Sequence, residues 1–135
     1  MPELPDVTLY VESLRSRVLG ATLEGIRIAS PFVLRSIAPD PEEMRGRTVR
    51  DVRRLGKRIV FALDEELFAV VHLMIAGRFR WETKGKKVPG KVGLLALDFS
   101  TGTLILTEAS QKKRASLYLL RGEANLASLH ARGLE

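Results

Sequence analysis

The feature that most restricts the fold is a series of short apolar segments that begins after residue 20. Each segment is rich in β-branched residues or alternates apolar with polar side chains, and turn-forming residues separate one from the next. The segments occupy residues 22–30, 48–55, 57–63, 67–75, 77–83, 92–100, 102–108 and 115–120. About eight strands at this spacing predict an antiparallel two-sheet β-sandwich.

A long helix is predicted before the strands. Between Pro5 and Gly20 the apolar residues approximate one helical face. Proline and the early acid Asp6 suit a first helical turn, and Gly20 is a natural end. A short helical turn is predicted at 42–46 and a second helix within 125–135. The predicted class is therefore mainly β with flanking α, and residues 1–135 are expected to form one domain.

Composition excludes several functional classes. The 135 residues are 45% hydrophobic, which is enough for one globular core. The absence of cysteine excludes disulfides, thiolate metal sites and cysteine nucleophiles. Two histidines without clustered ligand spacing predict no metal and no cofactor in this chain. No apolar run approaches the ~18 residues that span a bilayer, so a soluble, cytoplasmic and monomeric protein is expected.

The basic residues are clustered. The formal net charge is +6, and basic residues concentrate in 45–58, 84–91 and 112–114. Clustering of this kind favours a polyanionic partner, of which nucleic acid is the commonest. A solvated basic surface is the alternative interpretation.

The first residues, MPELPDV, have their own chemical interest. If Met1 is removed, Pro2 carries a secondary amine with a pKa near ~8, so part of it is neutral at physiological pH. A neutral amine attacks carbonyl-like carbons, and the neighbouring carboxylate of Glu3 is placed to move protons. The simpler interpretation is a stiff, acidic entry to the helix.

Three sequence motifs, which follow one another along the chain, support a catalytic role for the N-terminal amine. The chain begins MPELPDV, continues through Leu55-Gly56-Lys57-Arg58 before an apolar strand, and then has His72-Leu73-Met74-Ile75-Ala76-Gly77. A basic hairpin ending in Lys113-Arg114 follows. In these motifs and their spacing the chain resembles the N-terminal domain of the formamidopyrimidine-DNA glycosylase and endonuclease VIII family.

The resemblance implies a bifunctional enzyme of base-excision repair that acts on damaged double-stranded DNA. Pro2 would attack C1′ of the damaged nucleotide and form a Schiff base, with β/δ-elimination then nicking the strand. Glu3 would be the general acid and base, with Asp6 as a possible accessory, and Lys57 would grip a phosphate or assist at the sugar. The predicted DNA contacts are Arg54, Arg58, His72, Ile75, Lys112, Lys113 and Arg114. In a bacterium the protein would be associated with the nucleoid.

The sequence departs from the family pattern at four points. Asp6 replaces the usual glutamate, and Ile75 stands where the gap-filling methionine is expected. Ala115 follows Arg114 where the family has a wedge phenylalanine, and alanine is too small to fill a gap in the base stack. Lesion recognition is therefore expected to be weaker or to use another loop. The family's helix-two-turns-helix domain and zinc finger do not occur in these 135 residues.

Other interpretations stay open at this point. A noncatalytic DNA- or RNA-binding sandwich would keep the basic face but would not require Pro2, Glu3 and Lys57 together. A protein-interaction sandwich would bind its partner without strong salt dependence. Tautomerases also use an N-terminal proline, but there the proline begins a strand and not a helix. Lys57 as a solvated charge and His72 as a half-buried strand residue are the corresponding local alternatives.

Overall fold

The computed structural model describes residues 6–131, which contain two α-helices and eight β-strands. The helices are α1 (Val7–Val18) and α2 (Glu123–Ala131). Two short 3-10 turns cover Pro41–Met44 and Asp64–Glu66. The strands are β1 (Thr22–Ile28), β2 (Arg47–Leu55), β3 (Arg58–Leu63), β4 (Leu67–His72), β5 (Gly77–Glu82), β6 (Gly93–Phe99), β7 (Gly102–Glu108) and β8 (Ser116–Arg121).

The predicted N-terminal helix is confirmed. Asp6 caps α1, because its Oδ1 accepts a hydrogen bond of 3.2 Å from the backbone N–H of Leu9. Leu14 and Val18 are buried on the inner face of the helix. The chain leaves the helix at Gly20, whose φ of +82° suits glycine. The predicted helical turn near 42–46 and the C-terminal helix are also present, as Pro41–Met44 and α2.

The eight strands described in residues 6–131 form one antiparallel sheet in the order β5-β7-β6-β1-β2-β3-β4-β8. The prediction of mainly antiparallel β structure with about eight strands is therefore confirmed. The predicted division into two sheets is not, because β1 pairs with both β6 and β2. Its pairing with β2 is narrow, through Thr22↔Thr48 and Leu23↔Arg47 only, so the two halves of the sheet meet at a small junction.

Alternate residues of the strands face two different hydrophobic clusters. Phe61 of β3 enters the main core, where its ring lies 5.9 Å from that of Phe99 on β6. Both halves of the sheet and α1 contribute to this core. Val60, one residue earlier, faces a smaller cluster that α2 covers with Leu126 and Leu129. Both faces of β3 and β4 are consequently buried.

A connecting segment at 29–36, here called the strap, joins the two halves of the sheet. The amides of Ala29 and Ser30 donate to the carbonyl of Leu94 at the start of β6. Farther along, Leu34 forms a parallel bridge with Leu117, and the Leu117 amide donates a hydrogen bond to the carbonyl of Val33. The strap therefore covers the outer edge of β8.

No helix in the described range 6–131 is long and apolar enough to cross a membrane.

Candidate nucleic-acid interface

One end of the sheet gathers most of the residues that the sequence analysis singled out. Leu55 at the end of β2 pairs with Arg58, Arg58 pairs with His72, and His72 pairs with Ser116 at the start of β8. On the other half, Gly77 pairs with Glu108, the last residue of β7. The β2–β3 turn (56–57), the β4–β5 turn (73–76) and the β7–β8 loop (109–115) thus lie at the same end, which we call the basic edge.

The start of α1 is attached to this edge. The Arg54 guanidinium donates through Nε to the carbonyl of Gly56 at 2.7 Å and through Nη1 to Oγ1 of Thr8 at 3.2 Å. Gly56 has a φ of +64°, which shapes the tight β2–β3 turn. Lys57 follows it and is exposed. Arg54, a predicted DNA contact, therefore also fastens the Lys57 turn to the helix.

Pro2 and Glu3, the predicted nucleophile and proton shuttle, lie outside the described residues. Asp6 is described, and its carboxylate caps α1. The accessory role predicted for Asp6 is untested, but the cap gives its carboxylate a structural function.

Three buried polar residues form a row next to the basic edge. Arg58, His72 and Ser116 are register neighbours across β3, β4 and β8, so their side chains leave the sheet on the same face. Arg58 is not at the surface, where a general phosphate contact would lie, but completely buried. Its predicted DNA contact stays a prediction. His72 is buried at the end of β4, and its DNA contact stays a prediction.

The β4–β5 turn displays Ile75. The Gly77 amide donates to the carbonyl of Leu73 at 2.9 Å, and a Cβ at Gly77 would lie 2.3 Å from that oxygen. Only glycine fits this position without moving the backbone. Nη1 of Arg78 donates to the carbonyls of Ile75 and Gly77, both at 2.8 Å. The turn is therefore fixed while Ile75 is 57% exposed, and its contact with DNA stays a prediction.

The β7–β8 loop is organised by Glu108, which the sequence analysis missed. Its buried carboxylate accepts hydrogen bonds from the backbone amides of Arg114 at 2.7 Å and Ala115 at 3.1 Å. Nζ of Lys113 donates back to the carbonyl of Ser110 at 2.5 Å. Lys112 and Arg114 are exposed. The sequence does contain a signal for this role, because Glu108 is an acidic residue directly before the basic β7–β8 loop.

Ala115 is buried at the start of β8 and packs in the main core. It therefore offers no apolar group to a base stack, in agreement with the expectation from its size. The predicted contacts of Lys112, Lys113 and Arg114 with DNA remain predictions.

The longest basic run in the sequence has acidic partners. On β2, Nε of Arg50 lies 2.5 Å from Asp64, Arg47 pairs with Glu65, and Arg53 lies 3.3 Å from Glu123. The hydrogen bond from the Thr48 amide, followed by that from Arg50, holds the pKa of Asp64 below its usual value. Much of the positive charge predicted from 45–58 is thus compensated.

Residues 6–131 contain no group of three or more His, Asp or Glu side chains arranged to hold a metal ion. A cleft of about 390 Å³ is lined by residues including Pro39, Arg121 and Asn125. Since Arg121 ends β8, this cleft lies at the opposite end of the strand from the basic edge. It is separate from the candidate interface.

The fold is shared with solved structures of a DNA repair enzyme. The chain superposes on Lactococcus lactis formamidopyrimidine-DNA glycosylase in a complex with DNA containing an abasic site, with a TM-score of 0.82 and 23% identity. That superposition covers 96% of this chain and 48% of the other. A second complex of the same enzyme, non-covalently bound to such DNA, gives 0.83 at 23% identity over 96% and 49% of the two chains.

Sequence comparison identifies relatives at higher identity. Formamidopyrimidine-DNA glycosylase of Mycoplasma genitalium is 32% identical over 105 residues, 76% of this chain and 37% of the relative. The Variovorax paradoxus enzyme is 35% identical over 80% of this chain and 39% of its own length. The chain spans about two-fifths of the length of these relatives. The sequence profile described as "Formamidopyrimidine-DNA glycosylase N-terminal domain" matches residues 1–115, and the chain therefore belongs to that family.

Proposed function

We propose that this chain acts on damaged double-stranded DNA as a glycosylase that removes oxidised bases and then cleaves the strand as an abasic-site lyase. The observation that carries the proposal is the basic edge. There the exposed Lys57, the displayed Ile75 and the cationic β7–β8 loop lie beside the start of α1, into which the first residues lead. The family match includes Pro2 and Glu3.

The proposed nucleophile is the Pro2 nitrogen, freed by removal of Met1. Its lone pair forms a bond to C1′ as the bond between C1′ and the base breaks, and the base leaves with a proton. The sugar ring then opens, its oxygen takes a proton, and the nitrogen becomes an iminium. Glu3 would carry these protons. The iminium withdraws electrons from C2′, so loss of a C2′ proton expels the 3′ phosphate, and a second elimination expels the 5′ phosphate.

The remaining residues would hold the substrate. Lys57 is proposed to bind a phosphate beside the damaged nucleotide, and Lys112 and Arg114 to bind backbone phosphates. The damaged nucleotide must leave the base stack, which costs a few kcal/mol and less at a lesion. Ile75 is proposed to occupy part of the resulting gap. This activity would take place in the cytoplasm, at the nucleoid in a bacterium, and needs no cofactor held by this chain.

Borohydride trapping tests the chemistry directly. The protein, shown by intact mass to begin at Pro2, is incubated with a duplex containing an abasic site, reduced, digested and mapped. We expect a reduced sugar adduct on the Pro2 nitrogen. The matched control carries one extra residue before Pro2, which converts this nitrogen to an amide and should abolish the adduct.

Two failures are distinguishable. Salt-sensitive binding of the abasic duplex without an adduct would contradict the enzyme and favour a noncatalytic DNA-binding domain. An adduct that maps to a lysine and persists in the extended chain would contradict the role of Pro2. Lys57→Ala should lower the yield of adduct but leave it on Pro2, because Lys57 is proposed to bind phosphate and not to form the bond.

A further inference from the structure

Phe32 is the one aromatic side chain in residues 6–131 that is exposed to solvent. Phe32 is 79% exposed, although burial of a phenylalanine would remove a large apolar area from water. The other phenylalanines, Trp81 and both tyrosines are at least partly buried. A single exposed apolar side chain does not by itself mark a contact surface, so the inference rests on how Phe32 is held and on what lies beside it.

The backbone of Phe32 is held in place. The Val33 amide donates to the carbonyl of Ser30 at 3.2 Å and closes a turn around Phe32. Nε of Arg35 donates to the Phe32 carbonyl at 2.6 Å. Val33 is itself buried in the main core. The ring is therefore displayed from a fixed support, which reduces the entropy lost when it binds.

The position of Phe32 is at the basic edge. The turn around it lies between Leu94 at the start of β6, which binds Ser30, and Leu117 at the start of β8, which binds Val33. Residue 92, next to the start of β6, accepts a hydrogen bond from the amide of Glu108, the residue that anchors the β7–β8 loop. Phe32 thus shares this edge with the exposed cations Lys112 and Arg114.

We propose that Phe32 stacks on a nucleobase left exposed beside the damaged nucleotide. The partner is DNA, because Phe32 shares the basic edge with the exposed cations Lys112 and Arg114, which suit a phosphate backbone, and a nucleobase is the flat apolar group that such a backbone carries. Aromatic or aliphatic side chains that enter a gap in the base stack stabilise the opened duplex. Ala115, at the end of the basic loop, is buried and cannot make this contact. The inference rests on the proposed function.

The chain provides a matched control in Ile37. It lies on the same connection and is 99% exposed. The strap runs parallel to β8, and Ser36 accepts a hydrogen bond from the Leu119 amide, so Ile37 lies toward the far end of β8. Phe32→Ala and Ile37→Ala each remove an exposed apolar side chain, but only Phe32→Ala changes the basic edge.

The experiment measures Kd by fluorescence anisotropy at several salt concentrations, with two duplexes. One contains a tetrahydrofuran abasic analogue and the other is undamaged. For Phe32→Ala we expect Kd for the abasic duplex to rise about tenfold, as removal of one stacked base predicts. Kd for the undamaged duplex should change much less, and Ile37→Ala should match the wild type on both. Phe32→Trp should restore binding, and its emission should be quenched by the abasic duplex.

The salt dependence separates stacking from charge. Removal of a stacking interaction leaves the slope of log Kd against log salt concentration unchanged, whereas removal of a phosphate contact lowers it. Equal Kd values for wild type and Phe32→Ala would overturn the inference while leaving the proposed function intact. Equal weakening by Ile37→Ala, or a change in self-association on sedimentation with unaltered Kd, would also overturn it. If the wild type fails to bind either duplex, the proposed function itself fails.

Discussion

Strand β2 and the β7–β8 loop are both strongly basic, yet their charges are compensated to different extents. Arg47, Arg50 and Arg53 each form an ion pair with an acid from another part of the chain. Within residues 6–131 the cations of the loop, Lys112, Lys113 and Arg114, form no ion pair with a carboxylate. A basic run in a sequence therefore locates a polyanion-binding surface only once the acidic partners of its residues in the fold are known.

The loop also differs in how it is held. Its shape depends on a buried carboxylate that binds backbone amides, whereas the β2 arginines belong to a regular strand. The loop can therefore be disturbed through one residue without removing any of its positive charge. The first prediction uses this difference.

Replacement of Glu108 is expected to have the largest effect. Glu108→Ala leaves the amides of Arg114 and Ala115 without their acceptor, at a cost of about 1–3 kcal/mol in the free energy of unfolding. DNA affinity should fall as well, although the net positive charge increases. Urea unfolding and anisotropy measure the two effects. Glu108→Gln keeps the acceptor oxygen and should recover most of both; tighter DNA binding by Glu108→Ala would show that charge outweighs loop shape.

The second prediction compares the two basic regions on DNA. Replacing Lys112 and Arg114 together by alanine should lower the slope of log Kd against log salt concentration by about 2, one for each phosphate that is no longer bound. The double replacement of Arg47 and Arg50 removes the same charge but should leave this slope nearly unchanged. Equal slopes for the two double variants would contradict the proposed difference between the two basic regions. They would show that the β2 arginines also bind DNA phosphates.

The third prediction compares how the stability of the protein depends on pH when an exposed or a less exposed ion pair is removed. Burial alone would raise the pKa of Asp98, but hydrogen bonds from Arg27 and Thr103 outweigh it and hold this pKa below the usual value. A lowered pKa in the folded state stabilises the protein above about pH 4 and loses this contribution as pH falls through the folded value. Asp98→Asn should therefore reduce stability at pH 7 and converge with the wild type in acid.

Asp64→Asn is the matched variant on β2, since the pKa of Asp64 is also lowered. Its partner Arg50 is 68% exposed, against 39% for Arg27. Added salt should consequently diminish the pH-dependent difference for Asp64→Asn more than for Asp98→Asn. Urea unfolding between pH 2.5 and 7 at low and high salt gives both comparisons. The same salt sensitivity in both variants would remove the distinction between the two kinds of pair.

The sequence was informative wherever local chemistry decides the structure. The helix between Asp6 and Gly20 follows from its cap, its apolar face and its terminating glycine. The strands follow from their β-branched segments. These features depend on residues within a few positions of each other, so they are predictable without knowledge of the fold.

The unpredicted features depend on distant partners. Arg58 comes to lie beside His72 and Ser116 only after β3, β4 and β8 have paired, and in that sheet it is completely buried. Asp64 reaches Arg50 only after β2 and β3 pair. The continuity of the sheet through β1 depends on two register pairs that no segment of sequence specifies by itself. Long-range pairing therefore decides which charges of this chain are exposed, and local pattern does not.

The smallest effect is expected at the Arg53–Glu123 pair, which joins β2 to the start of α2. Both side chains are partly exposed, so a double-mutant cycle with Arg53→Ala and Glu123→Ala should give a coupling of about 0.2–1 kcal/mol. A pair this weak does not by itself prevent an arginine from exchanging its carboxylate for a phosphate. With a coupling in this range, a low DNA contribution from Arg47 and Arg50 reflects their position toward the start of β2, whereas the basic edge lies at its end. A coupling above about 2 kcal/mol would instead make the ion pair the reason.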